Sequence, residues 1–194
     1  MKIEPIFPSA LGVSINDNHN SMKEKPLQYC LDKLNDIEKG GDNWSSKVYN
    51  TCGTKNLITI SEFGNLNDWV FQEVVNYVTE LGFKNIKLQP HDSWFNVYKK
   101  YDYQEYHDHG ESDISAVYFL ESNEQDANLV FKSNEPSGYS HEFVKDNPYT
   151  WKRFFVPPVP GRLVVFKSHM QHSVEQHLKD NIRISLAYNF KIIK

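Results

Sequence analysis

The sequence predicts an α+β protein that is mainly β, built on a β-sandwich or jelly roll with one or two helices ahead of it. Three observations carry this expectation. Apolar residues recur at helical spacing between residues 65 and 81; from residue 85 the pattern changes to alternation in short runs; and Gly, Pro and Asn turns separate those runs. At 194 residues the chain is most simply one domain spanning 1–194, long enough to bury a real core. Its helical brace is expected at about 26–82 and its β-core at about 85–194.

Taken in order, residues 26–39 (PLQYCLDKLNDIEK) place Leu27, Cys30, Leu31, Leu34 and Ile37 at helical spacing, and Gly40 and Gly41 stop the helix. Residues 41–55 read as a polar loop, and 57–60 (LITI) as a short strand. The clearest helix runs from Asn65 to Leu81. Leu66, Trp69, Val70, Val74, Tyr77, Val78 and Leu81 form one apolar stripe, Asn65 or Asn67 is placed to cap its start, and Gly82 ends it. Expected strands follow at 86–89, 93–100, 103–109, 114–120, 129–132, 154–156, 162–166 and 183–192. The stretch from Ser133 to Trp151 has little periodicity. It reads as a long insertion of the kind that contacts substrate, with Tyr139, His141, Tyr149 and Trp151 as its aromatic and imidazole side chains.

Composition narrows the function classes. A net charge of −4 without any run of Lys or Arg argues against a body built to bind nucleic acid. Cys30 and Cys52 are too few for a disulfide framework or a cysteine zinc site, and suit two reduced thiols in a cytosolic protein. The N-terminal stretch has no long apolar run after its basic start, so no signal peptide is expected, and no segment approaches membrane-spanning length.

Three pieces of sequence carry chemistry. In a strand over 103–109, His107 and His109 would share a face, because side chains alternate with period 2. After the apolar run Leu163 to Phe166 the chain turns towards His172. This histidine is preferred over its neighbours His169 and His177 for its spacing to the last strand, and because Val174 resumes the apolar pattern. Three imidazoles on one side of a metal would leave other coordination positions open. On the last strand, Ile184, Leu186, Tyr188 and Phe190 take one face, while Arg183, Ser185, Ala187 and Asn189 take the other. A guanidinium beside small residues suits a carboxylate, which it pairs bidentately at any working pH. Taken singly, each piece also fits something plainer: a histidine-rich surface turn, or an edge strand with a wet polar face.

Their joint order resembles the 2-oxoglutarate- and Fe(II)-dependent oxygenases, and more narrowly the small oxygenases of that type found in bacteria and in tailed phages of marine bacteria. The residues carrying the resemblance are Trp94, Asn96 and Tyr98; His107 and His109; Ser115, Val117, Tyr118 and Phe119; Gly161, Leu163, Phe166 and Ser168; His172 and Val174; and Arg183, Ser185 and Asn189. Ile6, Phe7, Pro8 and Ser9 also match the way those chains open. The resemblance narrows the expected fold to a cupin-like double-stranded β-helix. It implies Fe(II) on His107, His109 and His172, with 2-oxoglutarate and O2 as co-substrates. The distal carboxylate of 2-oxoglutarate would meet Arg183 and Ser185, helped by Tyr98, and an unidentified primary substrate would be hydroxylated with release of succinate and CO2. It also implies a cytoplasmic setting, in a bacterial cell or phage-infected host, and by analogy a homodimer.

One departure matters. The wider superfamily places a carboxylate two residues after its first ligand histidine, and here that position is His109. Two other ligand sets are therefore open: His109 with Glu111 and His172, or Asp113 swinging in from the following turn. Two other functions also compete. One is a cupin-type metalloenzyme without 2-oxoglutarate, in which Arg183 binds the substrate's own carboxylate. The other is a non-catalytic jelly-roll module that binds ligands on Tyr101, Tyr103 and Tyr106.

Overall fold

The computed structural model describes residues 1–4, 8–34, 44–134 and 147–194. Among the described residues, ten strands form two antiparallel sheets: β1 (Leu11–Ile15), β2 (Tyr49–Asn50), β3 (Lys87–Tyr98), β4 (Gln104–His107), β5 (Ile114–Glu121), β6 (Leu129–Lys132), β7 (Arg153–Val156), β8 (Arg162–Lys167), β9 (His172–Val174) and β10 (Arg183–Ile193). The larger sheet runs β1-β8-β5-β10-β3-β2, and the smaller runs β4-β9-β6-β7. The fold is the mainly β jelly roll that the sequence predicts, with α1 (His19–Met22), α2 (Glu24–Lys33) and α3 (Gly64–Glu80) ahead of the later strands.

Two apolar clusters hold the layers together. On one face of the larger sheet, Leu66, Val70, Val74 and Val78 of α3 and Cys30 of α2 pack with Phe95, Tyr118, Leu163, Leu186, Tyr188 and Phe190. Fully burying aliphatic and aromatic side chains of this kind is worth about 1.5–3 kcal/mol each before chain entropy is subtracted. The other face shares a second cluster with the smaller sheet: Val117, Phe119, Val164 and Phe166 meet Leu129, Phe131, Val156 and Val174. A cavity lies between the sheets, and polar side chains from both of them line it.

Several local expectations are corrected. Residues 57–59 form a 3₁₀ turn rather than a strand, because the Asn56 side chain accepts from the Ile58 N–H and closes the turn. The two strands expected at 86–89 and 93–100 are one. Pro90 has no N–H to give, and the β3–β10 ladder absorbs it through a register shift in which His91 is the extra residue. The strand β1 was not signalled by alternation: it is an edge strand with Val13 and Ile15 exposed. Neither asparagine caps α3. Asn67 instead donates to the Leu57 carbonyl and accepts from the Tyr188 hydroxyl, tying helix to sheet. Gly82, at φ +85°, ends that helix as expected. The helix expected over 26–39 begins earlier, at Glu24. Ile37 and the Gly40–Gly41 stop lie outside the described residues, as do Ile6 and Phe7 and the Tyr139 and His141 positions of the insertion.

Candidate active site and metal centre

The three expected histidines come together. His107, the last residue of β4, stands directly opposite His172, the first of β9, and their ring centres are 4.2 Å apart. His109 joins them, with ring centres 5.4 Å from His107 and 5.0 Å from His172. The route differs from strand alternation. β4 ends at His107, and His109 lies beyond it, its backbone N–H donating to the Ser168 carbonyl at 2.9 Å. One candidate ligand atom from each imidazole lies within 4.8 Å of the others.

Each ring is held by its Nδ1. In His107 it faces the Glu105 carbonyl at 2.8 Å, and in His172 the Met170 carbonyl at 2.9 Å. A carbonyl accepts only, so both Nδ1 atoms carry the proton and both Nε2 lone pairs are free for a cation. In His109, Nδ1 lies 2.7 Å from Asn189 Oδ1 and 3.0 Å from Ser115 Oγ; Ser115 itself donates to Asn189 and meets Ser168. Burial disfavours the charged form of all three rings. It pushes His107 down to about 4, lowers His109, and drives His172 well below its usual value with help from the other two imidazoles. Three neutral, oriented imidazoles are what a divalent metal needs from histidine.

Glu111 and Asp113 do not join the cluster. Both are exposed, and Asp113 accepts from the Ile192 N–H at 2.7 Å, turned towards β10. Among the described residues, the acidic, cysteine and histidine side chains close enough to hold one ion are His107, His109 and His172. His169 is exposed, and the fully buried His177 bonds the Asn181 carbonyl through Nε2 at 2.8 Å.

Arg183, Ser185, Ala187 and Asn189 line a cavity of about 430 Å³ that also holds the imidazole cluster, while the alternate residues of β10 enter the helix-side core. Arg183 is fully buried, and none of its three guanidinium nitrogens has a hydrogen-bond partner. Its guanidinium carbon sits 4.5 Å from the Tyr98 ring centre and 5.3 Å from that of Phe119. Burial lowers its pKa, with the Tyr98 hydroxyl acting the other way. The Tyr98 hydroxyl donates to Gln104 Oε1, and Gln104 and Asn50 both donate to Asn96 Oδ1, at 3.4 and 2.6 Å. This amide network and the structural role of Asn189 were not foreseen. Asn189 shares a strand face with Arg183, but nothing in the sequence says that it reaches a histidine 80 positions away.

Comparison with known proteins gives the same direction. A family model described as "Putative 2OG-Fe(II) oxygenase" matches residues 92–189. No curated protein matches in sequence. Among solved structures, the chain is similar to a Pseudomonas putida prolyl-4-hydroxylase, at 17% identity and TM-score 0.61 over 93% of this chain and 92% of that one. It is also similar to HygX from Streptomyces hygroscopicus, solved with nickel, 2-oxoglutarate and hygromycin B bound, at 12% identity and TM-score 0.62 over 94% and 83%. A Trichoplax adhaerens prolyl hydroxylase, solved in complex with a hypoxia inducible factor oxygen degradation domain peptide fragment, aligns at 15% identity and TM-score 0.61 over 93% and 83%. The matched segment runs from Asp92 to Asn189, enclosing the imidazole cluster and the buried arginine, and on that match the chain belongs to the 2OG-Fe(II) oxygenase family.

Proposed function

We propose that this Fe(II)- and 2-oxoglutarate-dependent dioxygenase holds its metal on His107, His109 and His172 without a carboxylate ligand, and seats the distal carboxylate of 2-oxoglutarate on Arg183, with Ser185 and Tyr98 beside it. The observation that carries the reading is the Arg183 guanidinium, buried in the cavity wall with all three nitrogens unpartnered. A buried charge without a partner costs several kcal/mol, and a dicarboxylate supplies the missing acceptors in the planar geometry a guanidinium prefers. The neutral imidazoles with tethered Nδ1 atoms fit a divalent metal equally well.

Together Fe(II), 2-oxoglutarate and O2 supply an oxidant able to hydroxylate a C–H bond of the primary substrate, with release of succinate and CO2. The protein's own share is orientation and dryness. Tyr98 and Phe119 hold the guanidinium between two ring faces. Val117, Leu129 and Val174 give the cavity apolar walls that strengthen every charge interaction inside it. Asn189 and Ser115 keep His109 aimed. We place the protein in a reducing cytoplasm: Cys30 and Cys52 are both free thiols, and no helix among the described residues is long and apolar enough to cross a membrane.

The test is an anaerobic titration of metal-free protein with Fe(II) and then 2-oxoglutarate, following the weak visible charge-transfer band of the chelate. A saturable band supports the assignment. Fe(II) binding without the band points to a metalloenzyme that does not use 2-oxoglutarate, and absence of metal binding to a non-catalytic module.

A further inference from the structure

We propose that the primary substrate brings a cationic nitrogen group, an amine or a guanidinium, to Asp92 at the opposite end of the cavity from Arg183, together with a hydrogen-bond acceptor for the Trp94 indole. This rests on the oxygenase reading above and extends it to substrate class.

The β3–β10 ladder sets the order of groups along the cavity. Its facing pairs are Tyr98 with Arg183, Asn96 with Ser185, Trp94 with Ala187, and Asp92 with Asn189. Each step is two residues, so Asp92 stands roughly 20 Å of strand from the guanidinium rung. It lies level with Asn189, the residue that holds His109. Arg183 accounts for an anion at one end, and the imidazoles for a metal beside the Asn189 rung. Asp92 and Trp94, on the last two of these rungs, have no role in binding either.

Both carry a buried polar atom that is left unsatisfied, on a half-buried residue in Asp92 and on a buried one in Trp94. Asp92 Oδ1 has no hydrogen-bond donor, and Trp94 Nε1 has no acceptor although the residue is only 7% exposed. Both residues line the cavity, and the Trp94 ring centre is 5.4 Å from that of His109. Buried polar atoms are nearly always paired, so such a donor and acceptor side by side point to a ligand that completes both. The charge at this end selects the ligand's sign. Asp92, Asp108 and Glu111 line the cavity there, and Arg183, at the far end, is the only lysine or arginine in its wall among the described residues. That field draws in cations and repels a second anion.

The experiment uses native protein loaded anaerobically with Fe(II) and 2-oxoglutarate, and reads the change in the visible band on addition of probes. L-arginine, L-lysine and an end-blocked Ala-Arg-Ala peptide are compared with L-citrulline, L-norleucine and the citrulline peptide. Saturable binding of a cationic probe is expected, about tenfold or more tighter than its neutral counterpart, and weakening as salt rises. A response to the free amino acids identifies a small-molecule source, and a response to the peptide alone a protein side chain. Asp92→Asn should weaken the cationic probe by about tenfold or more while the band persists, which shows that the variant is folded and loaded. Equal binding of neutral and cationic probes, binding indifferent to salt, or no response to any cationic probe in protein that forms the band would each overturn the proposal. Failure of native protein to form the band overturns the oxygenase reading first, and this one with it.

Discussion

Arg183 and Tyr98 face each other across the β3–β10 ladder, and the guanidinium carbon of one lies 4.5 Å from the ring centre of the other. The pairing puts a permanent cation against an aromatic face inside a wall where its N–H groups make no hydrogen bond of good geometry, with the Tyr98 hydroxyl beside it. Cation–π attraction offsets part of the desolvation cost, and a bound carboxylate would offset the rest. The metal-free, ligand-free protein therefore carries a destabilised charge that binding relieves.

Arg183→Met is accordingly expected to act in opposite directions on stability and binding. Without ligand, its melting temperature should equal or exceed that of the native protein, because an unpaired buried charge is replaced by an apolar chain of similar length. Affinity for 2-oxoglutarate should fall by roughly 150- to 4,000-fold, the equivalent of ~3–5 kcal/mol for breaking a buried charge pair. Thermal melts with and without 2-oxoglutarate, alongside titration of the visible band, measure both. A variant that melts lower yet binds 2-oxoglutarate normally would show that the guanidinium is structural.

Gly161 gives a stability test away from the cavity. Its φ of +79° places it in the left-handed region, and an added Cβ would lie 2.8 Å from Cβ of His19, which packs over the turn into β8. Gly161→Ala therefore adds a conformational penalty to an overpacking one, and should cost about 2–4 kcal/mol. Urea melts of the two proteins read this directly, and a loss below 1 kcal/mol would mean that the turn backbone relaxes out of its left-handed conformation and away from the His19 Cβ.

What the sequence discloses and what it hides divides along physical lines. The faces of β10 were legible because a strand buried on both sides must sort its side chains by period 2, and Arg183 and Ser185 fell on the cavity face with Ala187 and Asn189. The helix over 64–80 was legible from its stripe, because burial of one face imposes spacings of three and four on its apolar residues. His109 reached the cluster without the predicted strand under it, since a turn anchored on Ser168 does what alternation was expected to do. Other features were not local. The 3₁₀ turn at 57–59 depends on an Asn56 side chain and on Ser93, which is 35 residues from Ile58. The single β3 depends on a bulge that only its partner strand can absorb. The exposed edge strand β1 has no pattern to read, because one edge and much of one face meet solvent.

Of the nearby histidines, His172 is the one whose loss should abolish tight metal binding. It is buried and faces His107 across a strand pair, whereas His169 points to solvent. Anaerobic Fe(II) titration should show His172→Ala losing more than the roughly 10–100-fold that outer-shell changes cost. His169→Ala should titrate like the native protein. The reverse pattern would move the ligand set three residues upstream.

Asn189 separates a metal ligand from the group that aims it. Its Oδ1 accepts from His109 Nδ1 at 2.7 Å and from Ser115 Oγ at 2.7 Å, so it fixes both the ring's orientation and which nitrogen carries the proton. Asn189→Ala removes that acceptor and leaves Ser115 Oγ, at 3.0 Å, as the remaining neighbour of Nδ1. A hydroxyl can donate as well as accept, so the tautomer with Nε2 free for metal is no longer enforced. Fe(II) affinity should fall by roughly 10–100-fold, the range for outer-shell partners of a ligand histidine. The far-ultraviolet circular dichroism should be unchanged, because Ala187 already shows that β10 accepts a small side chain on this face. Asn189→Gln, which keeps the amide on a longer arm, should recover part of the loss. Native-like Fe(II) affinity in Asn189→Ala would mean that Ser115 and the backbone bond to Ser168 suffice to hold His109.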